Sequence, residues 1–300
     1  MRGNMRRIFV AIIAIAAISL TWAQYDIFTQ KGEKINLDSL ITLLSNYDVV
    51  FFGEKHDDPV AHKLELEIFK KLSKKWGKIA LSLEMLEADA QPIVDSYISG
   101  KVSEKEFKEK VNLWPNYDSD YRPLVEFAKS NGIHVIAANI PRRLANMVAK
   151  GGIKAWNSLN NDDLSLIPRM TYFFNDKYRE LFEATMKNNP MMKHMRNVSI
   201  ENLYHAQCVK DEKMAESISD FLREHPDYHV FMCNGSFHSD YHLGIVQKLL
   251  IRSPNLRVAT ISAIPVPKLA KINPKAYLDR ADFVILTFYG KNEKDSEGSK

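Results

Sequence analysis

The feature that most constrains the fold is an apolar run, Val49 to Phe52, which ends at Gly53 and is followed at once by charged residues. An unbroken apolar run predicts a strand buried on both faces, as in a parallel sheet that helices cover on each side. Asp58 and Pro59 then provide the side-chain acceptor and the fixed backbone angle that favour a helix start. The polar residues between strand and helix therefore lie on a short loop at the carboxyl end of a buried strand, where open α/β sheets bind ligands.

Three later apolar runs repeat this pattern, since each predicts a strand that ends in polar residues. They are 79–83 followed by Glu84, 133–138 followed by Asn139, and 228–233 followed by Asn234, Gly235 and His238, while 258–264 and 283–288 predict two further strands. Helix-containing connections allow the first three strands to lie parallel and to share one edge. We therefore predict that Glu54, His56, Glu84 and His238 meet at the carboxyl edge of the sheet.

A long stretch without strand-like runs separates the third strand from the fourth. It covers about 85 residues, whereas a crossover between parallel strands needs little more than a dozen. We therefore predict an α/β fold, with a mostly parallel sheet, flanking helices and a smaller inserted all-helical subdomain. The predicted α/β core covers about 45–86, 123–141 and 225–290, and the predicted subdomain about 87–122 and 142–224.

Residues 1–23 have the pattern of a removable signal peptide. Three arginines precede an apolar stretch, residues 8–20, and residues 21–23 fit a cleavage site. The stretch is shorter than the roughly 20 residues that a transmembrane helix needs. We therefore expect a secreted or periplasmic protein, residues 24–300, with no transmembrane span after signal removal. An uncleaved anchor is the alternative, and the absence of a following cysteine argues against a lipid anchor.

The charge and cysteine content exclude several classes of protein. The chain has 41 Lys+Arg and 37 Asp+Glu, and removal of the three signal-peptide arginines leaves a net charge of 38 − 37 = +1. Without a basic patch, nucleic-acid binding is not expected. The two cysteines, Cys208 and Cys233, provide neither a disulfide framework nor a CxxC metal site. Cys233 ends a predicted buried strand, so we expect packed thiols and no bridge.

Two kinds of chemistry are open to the predicted strand-end residues. Their carboxylates and imidazoles could ligate a divalent metal that activates water. Alternatively, a Glu–His pair could act as a general base while Arg142 or Arg143 holds an anionic group. Each residue also has a structural interpretation, in which His238 is satisfied by a backbone carbonyl and His62 packs or caps its helix. Fixed-spacing signatures such as HExxH, which would decide the matter, do not occur.

An ordered series of motifs resembles a known family. The matching residues are 53–62, 83–85 with Gln91, 114–117 with 121–124, 137–142, 206–207 with 211–215, and 235–238 with Gly244. Together they resemble the ChaN-like haem-binding uptake proteins, within the Tiki and erythromycin-esterase-like superfamily. The resemblance spans roughly residues 45–250 and rests on the order of the motifs more than on any one of them.

The resemblance implies an α/β domain with a smaller helical domain, in a cell-envelope protein that binds haem and takes part in iron acquisition. In related branches the corresponding motifs serve hydrolysis, and those catalytic roles would fall here on Glu54, His56, Glu84, Arg142 and His238. A hydrolase, with or without a metal, and a catalytically silent binding module are the alternatives. This sequence departs from the family pattern in two ways. It lacks the lipid-anchor cysteine that some members carry, and its closing motif, residues 234–238, lacks the expected Gly-x-Gly-His.

The haem ligand is not determined by a motif, since CxxCH is absent and Tyr, His or Met can be axial. The candidates in the helical subdomain are Tyr172, Tyr178, His194, Tyr204 and His205. We favour Tyr178, because a phenolate suits ferric iron and the same helix carries apolar residues. A porphyrin has two large faces, so a homodimer is also expected. The alternative is that these tyrosines only pack helices, as we expect of the methionines at 191–195.

Overall fold

The structure, a computed structural model, describes residues 24–189, 199–269 and 272–288. Eight strands in these ranges form one sheet: β1 (Tyr25–Thr29), β2 (Lys34–Ile35), β3 (Val49–Glu54), β4 (Ile79–Glu87), β5 (His134–Asn139), β6 (His229–Gly235), β7 (Val258–Pro265) and β8 (Phe283–Thr287). Their order is β2-β1-β8-β7-β3-β6-β4-β5. Strands β3 to β8 are parallel, and β1 pairs antiparallel with both β2 and β8. The predicted α/β class, with a mostly parallel sheet, is confirmed.

Helices flank this sheet. Within the described residues they are α1 (Leu37–Leu44), α2 (Pro59–Trp76), α3 (Gln91–Ile98), α4 (Glu104–Lys110), α5 (Arg122–Ser130), α6 (Arg142–Gly151), α7 (Asn161–Leu166), α8 (Lys177–Lys187), α9 (Ile200–Glu224) and α10 (Ile245–Arg252). Helix α2 begins where the sequence predicted. Its N-cap, Asp58, accepts hydrogen bonds from the N–H groups of Val60 and Ala61 at 2.9 and 3.1 Å. The side chain thus satisfies two of the four free donors of the first turn.

Strand β3 lies in the middle of the sheet and is buried on both faces, as its apolar run predicted. Phe52 belongs to the same core as Phe69 of α2. Phe51 belongs to the opposite core, with Met214 of α9 and Leu249 of α10. Consecutive strand residues point to opposite faces, so one apolar run fills both cores. The two layers of helices fix the strand and hence the position of its polar end.

The inserted helices form a smaller core against the first half of α9. Leu144 of α6, Trp156 and Val209 of α9 are among its buried members. The second half of α9 instead covers the sheet, and α3 and α4 also share the core of the sheet, through Tyr97 and Phe107. The segments 87–122 and 142–224, predicted as the subdomain, therefore contain helices that pack on the sheet as well as helices that pack on one another. A helical pattern identifies an apolar face but not the surface against which it packs.

Three further features bear on the earlier expectations. Strands β1 and β2 were not predicted, and β1 completes the sheet by pairing with β8, with Tyr25 opposite Thr287. Cys208 and Cys233 are both buried and free. Within the described ranges, none of the helices has the length and apolar character needed to cross a bilayer.

Candidate functional site

The register of the parallel strands brings the predicted polar residues to one edge of the sheet. Glu54 at the end of β3 lies opposite Gly235 of β6. Leu83, which precedes Glu84 in β4, lies opposite Cys233 of β6. The glycine of β6 therefore lies between the two glutamates, because β3 and β4 flank β6 in the sheet. We call this edge, with the loop residues that follow the strands, the rim.

Glu54 is the centre of the first group of contacts at the rim and is 1% exposed. Its Oε1 accepts a hydrogen bond from the Tyr121 hydroxyl at 2.6 Å and lies 2.7 Å from His56 Nδ1. Burial alone would raise the pKa of Glu54, but hydrogen bonds to His56 and His62 outweigh it and hold the pKa well below its usual range. Glu54 is therefore a carboxylate at neutral pH, and it holds the His56 ring in place.

His56 is exposed, unlike Glu54, Glu84 and His238, with 42% of its side chain accessible. The Trp114 ring meets it edge-on at 4.9 Å between centroids. Gly235 makes this position possible, because a Cβ atom there would lie 2.8 Å from Cε1 and Nε2 of His56 and 3.6 Å from Oε2 of Glu84. Gly235 has an ordinary negative φ, so the glycine is needed for close approach rather than for its backbone angle. His56 and Glu84 thus face the same glycine.

A second group of contacts surrounds His238, which is 6% exposed. Its Nε2 lies 3.3 Å from Glu84 Oε1, and its Nδ1 lies 2.5 Å from Asp211 Oδ1. The Gly235 N–H donates to Glu84 Oε2 at 2.7 Å. Tyr178 donates its hydroxyl hydrogen to Asp211 Oδ2 at 2.7 Å. Burial would lower the pKa of His238, but Glu84 and Asp211 raise it to about 10. His238 is therefore an imidazolium between two carboxylates.

The ion pair between His238 and Glu84 predicts how the stability of the protein depends on pH. The pKa of His238 rises from 6.5 to about 10 on folding, so its contribution is complete below about pH 6.5 and is lost as pH rises through 10. Burial would raise the pKa of Glu84, but His238 lowers it to about 2, so that contribution is lost only as pH falls below about 4.5. We expect the difference in unfolding free energy between wild type and His238→Gln to be largest near pH 5–6. It should shrink steadily up to pH 10.

Urea unfolding at intervals of one pH unit would measure this difference. His62 also titrates at high pH, and it is present in both proteins, so the comparison isolates His238. A difference that stays constant from pH 6 to pH 10 would contradict the assignment of His238 as the charged member of the pair.

Three other residues that the sequence predicted near the rim, Arg142, Arg143 and Asn139, belong to neither of these groups of contacts. Arg142 is exposed at the start of α6 and has no ion pair or hydrogen bond within the described chain. Arg143 pairs with Asp163 at 2.5 Å. The Asn139 side chain donates to the backbone oxygen of Glu84 at 3.1 Å, so it braces the neighbouring strand rather than facing a ligand. Arg142 is thus a free cation beside the rim.

The three described tyrosines among the haem candidates differ in exposure. Tyr178 and Tyr204 are 3% and 1% exposed, and Tyr204 donates its hydroxyl hydrogen to the Phe174 carbonyl at 2.7 Å. Tyr172 is 38% exposed, and its ring stacks on Phe174 at 5.8 Å. His205 stacks on Phe173 at 3.9 Å. His194 and the methionines at 191–195 lie outside the described residues.

A third group of contacts, Glu54 with His62 and Glu65, was not predicted. His62 Nδ1 lies 3.0 Å from Glu54 Oε2 and 3.0 Å from Glu65 Oε2, and the three side chains are buried. Burial and the Glu54 charge raise the pKa of Glu65 well above its usual range. The signal in the sequence was a glutamate on the apolar face of α2, three residues after His62 and beside Leu64. We call Glu54, His62 and Glu65 the buried triad.

Asp211 and Tyr121 were also given no role in the sequence analysis, although both fall within motifs of the resemblance. Asp211 lies on α9, 27 residues before its partner His238, and Tyr121 is 67 residues after Glu54. Neither separation follows a spacing rule, so only the packing of α9 and of the turn before α5 reveals the contacts. Six separate parts of the described chain therefore contribute ion pairs and hydrogen bonds to the two groups of contacts at the rim: 54–56, 84, 121, 178, 211 and 235–238.

The sequence profile of the family described as "Haem-binding uptake, Tiki superfamily, ChaN" matches residues 40–249, more than two thirds of the chain. The chain belongs to this family. The resemblance inferred from the motifs is thereby confirmed, and the match includes the rim, the buried triad and the inserted helices.

A solved structure shows the same fold. The structure titled "Cofacial heme binding to ChaN of Campylobacter jejuni" superposes with a TM-score of 0.62 at 19% identity, over 89% of this chain and 97% of that chain. A mutant erythromycin esterase, EreC, in its open conformation gives a TM-score of 0.47 at 13% identity, over 87% of this chain and 82% of that chain.

A curated plant protein matches a shorter part of the sequence. Protein RETICULATA-RELATED 5, chloroplastic, of Arabidopsis thaliana is 29% identical over 118 residues, which is 37% of this chain. The matched region covers 16% of the length of that protein.

Proposed function

We propose that this protein is a cell-envelope haem-binding protein that takes part in haem or iron acquisition. The observation that carries the proposal is the family match, because it spans both the sheet and the inserted helices. The superposition on a ChaN structure whose title describes haem binding is consistent with this assignment at the level of the fold. The signal-like residues 1–23 lead us to propose a secreted or periplasmic location.

The haem group requires an accessible axial ligand and apolar surface for the porphyrin, and one segment of the protein offers both. Five large apolar side chains of the described residues are exposed, and three of them, Leu164, Met170 and Tyr172, lie close together in sequence. The Tyr172 hydroxyl lies 3.8 Å from the sulfur of Met170. A phenol beside a thioether and a stacked aromatic ring is a donor set that fits haem.

We propose Tyr172 as the axial ligand, in place of the Tyr178 that the sequence favoured. The Tyr178 hydroxyl is buried and donates to Asp211, and both burial and the Asp211 charge raise the pKa of Tyr178. A phenolate at that position would lie against a carboxylate. Bound haem would supply a ferric iron centre, and Tyr172 could reach it without giving up a buried hydrogen bond.

The backbone of Tyr172 is fixed although its side chain is exposed. Its N–H donates to Glu212 Oε1 at 2.7 Å, and its carbonyl accepts from Lys248 Nζ at 2.8 Å. Arg252 completes the network by donating to the Met170 carbonyl at 3.1 Å and pairing with Glu212 at 2.6 Å. The buried ion network therefore holds the segment that presents the phenol, so little conformational entropy would be lost on binding.

Absorbance titration of residues 24–300 with ferric haem tests the proposal. We expect a saturable shift of the Soret band and a visible spectrum typical of tyrosinate ligation. Because one surface segment covers one face of a porphyrin, we also propose that haem binding involves a homodimer, and gel filtration with and without haem measures this. A linear titration without saturation would contradict haem binding, whereas saturation by a monomer would contradict only the shared site.

Hydrolysis at the rim is a second candidate function. His56 is exposed and held by the Glu54 carboxylate, which is the arrangement of a general base. A cleft of about 230 Å³ is lined by Lys55, which precedes His56 in the chain, and by Ser236 and Phe237. Turnover of ester or peptide substrates that is lost in His56→Ala, while haem binding persists, would support this function. If rim variants change only the melting temperature, the rim braces the sheet.

A further inference from the structure

The buried triad has the composition of a cation site rather than of an ordinary ion pair. It places two carboxylates and one imidazole so that one ligand atom from each lies within 4.8 Å of the others. Glu65 is 0% exposed and Glu54 is 1% exposed. We propose that Glu54, His62 and Glu65 bind one divalent transition-metal ion, of the Zn²⁺ or Mn²⁺ type, between the end of β3 and the first turns of α2.

The first argument is the spacing of the ligand atoms. Two atoms that bind one ion at about 2.1 Å are about 3.0 Å apart at right angles and about 3.4 Å apart at the tetrahedral angle. His62 Nδ1 lies 3.0 Å from Glu54 Oε2 and 3.0 Å from Glu65 Oε2. These two separations match ligands of a shared ion, and the two carboxylate oxygens, which lie within 4.8 Å of each other, would move closer together around it.

The second argument is that the triad contains a buried oxygen atom without a hydrogen bond. Oε1 of Glu65 accepts no hydrogen bond from the residues that the structure describes, whereas Oε2 of Glu54 has His62 Nδ1 as its partner at 3.0 Å. A buried polar atom without a partner carries a desolvation cost, and such atoms are uncommon in folded proteins. A bound cation would satisfy both carboxylates at once.

The third argument concerns the groups that contact the outer atoms of the ligand side chains. The Tyr121 hydroxyl donates to Glu54 Oε1 at 2.6 Å, which leaves Oε2 for the ion. His62 Nε2 lies 3.3 Å from the His56 carbonyl and 3.5 Å from Asp120 Oδ2. The ion would replace the Nδ1 proton that lies between the two carboxylates, and the acceptor behind Nε2 keeps the other ring proton there. Metal-binding histidines usually have such an outer partner.

The chemistry of the ligands and their burial indicate the class of ion and its role. Two carboxylate oxygens and one imidazole nitrogen suit Zn²⁺ and Mn²⁺ better than a soft ion such as Cu⁺. The His62 side chain is 5% exposed, so substrate has no route to the ion comparable to the exposed His56. The ion would therefore be structural, and it would fix the strand-end loop from which His56 is presented.

Metal analysis of untagged protein tests the proposal independently of haem. Protein treated with a chelator would be incubated with ZnCl₂ or MnCl₂, passed through gel filtration and analysed by mass spectrometry for metal content. We expect about one equivalent per chain in wild type and less than about a fifth in Glu65→Gln, with a metal-dependent rise in melting temperature only in wild type. Glu84→Gln is the matched control, since it removes a buried carboxylate that pairs with His238, and it should retain the ion.

Three results would overturn the metal site. In the first, wild type retains less than about a tenth of an equivalent of metal per chain. In the second, Glu65→Gln retains as much metal as wild type, and in the third, Glu65→Gln and Glu84→Gln lose the same amount of metal. Circular dichroism would establish that each variant is folded, and His62→Gln replaces Glu65→Gln if the latter is not. The haem titration of Glu65→Gln should match that of wild type, so failure of the metal site and failure of haem binding are distinguishable.

Discussion

Tyr172→Phe should weaken ferric haem binding by at least about tenfold, which corresponds to about 1.4 kcal/mol or more. Phenylalanine keeps the ring that stacks on Phe174 but removes the oxygen that would ligate iron. The change should also abolish the visible bands of tyrosinate ligation and shift the Soret maximum. Absorbance titration of wild type and variant under the same conditions would measure both effects.

Two controls test whether the loss is specific to Tyr172. Tyr178→Phe removes a hydroxyl that is buried against Asp211, so it should lower stability without changing the haem spectrum. Glu54→Gln alters the rim and should likewise leave the spectrum unchanged. If Tyr178→Phe eliminated the tyrosinate bands while Tyr172→Phe kept them, the ligand would be the buried tyrosine and the helix α8 would have to move on binding.

Glu212→Gln should lower the free energy of unfolding by about 3–5 kcal/mol, because it leaves buried cations without their carboxylate. Glu212 Oε1 lies 3.0 Å from Lys248 Nζ, and its Oε2 lies 2.6 Å from Arg252 Nη1. All three side chains are at most 5% exposed. The glutamine oxygen can still accept from the Tyr172 N–H, so the effect reports the lost charge. Urea unfolding followed by fluorescence would measure it.

Asp48→Asn is the matched control for the buried network. It removes a carboxylate from a pair with Arg257, whose side chain is 63% exposed. An exposed pair of this kind contributes at most about 1 kcal/mol. Equal losses in Glu212→Gln and Asp48→Asn would show that the buried network has no special role. Because the network also fixes the backbone of Tyr172, the folded fraction of Glu212→Gln should bind haem more weakly than wild type.

The sequence by itself determined the unit of strand, polar loop and helix around Glu54. An apolar run such as Val49 to Phe52 can be buried only as a central strand, and Asp58 with Pro59 favours a helix start locally. The polar residues after each run then had to share one edge, since parallel strands end together. The α/β class, the family and the meeting of Glu54, His56, Glu84 and His238 therefore followed from local patterns.

The tertiary structure alone decided which side chains are exposed and which distant residues meet. Tyr172 and Tyr178 have the same chemistry in the sequence, but packing buries Tyr178 against Asp211 and leaves Tyr172 exposed. Glu65 had no role in the sequence analysis, and only the packing of α2 against β3 shows that it shares His62 with Glu54. Strand β1 was missed because its partner β8 lies at the other end of the chain. Local patterns follow from the chemistry of neighbouring residues, whereas burial and partner choice depend on contacts between segments far apart in the chain.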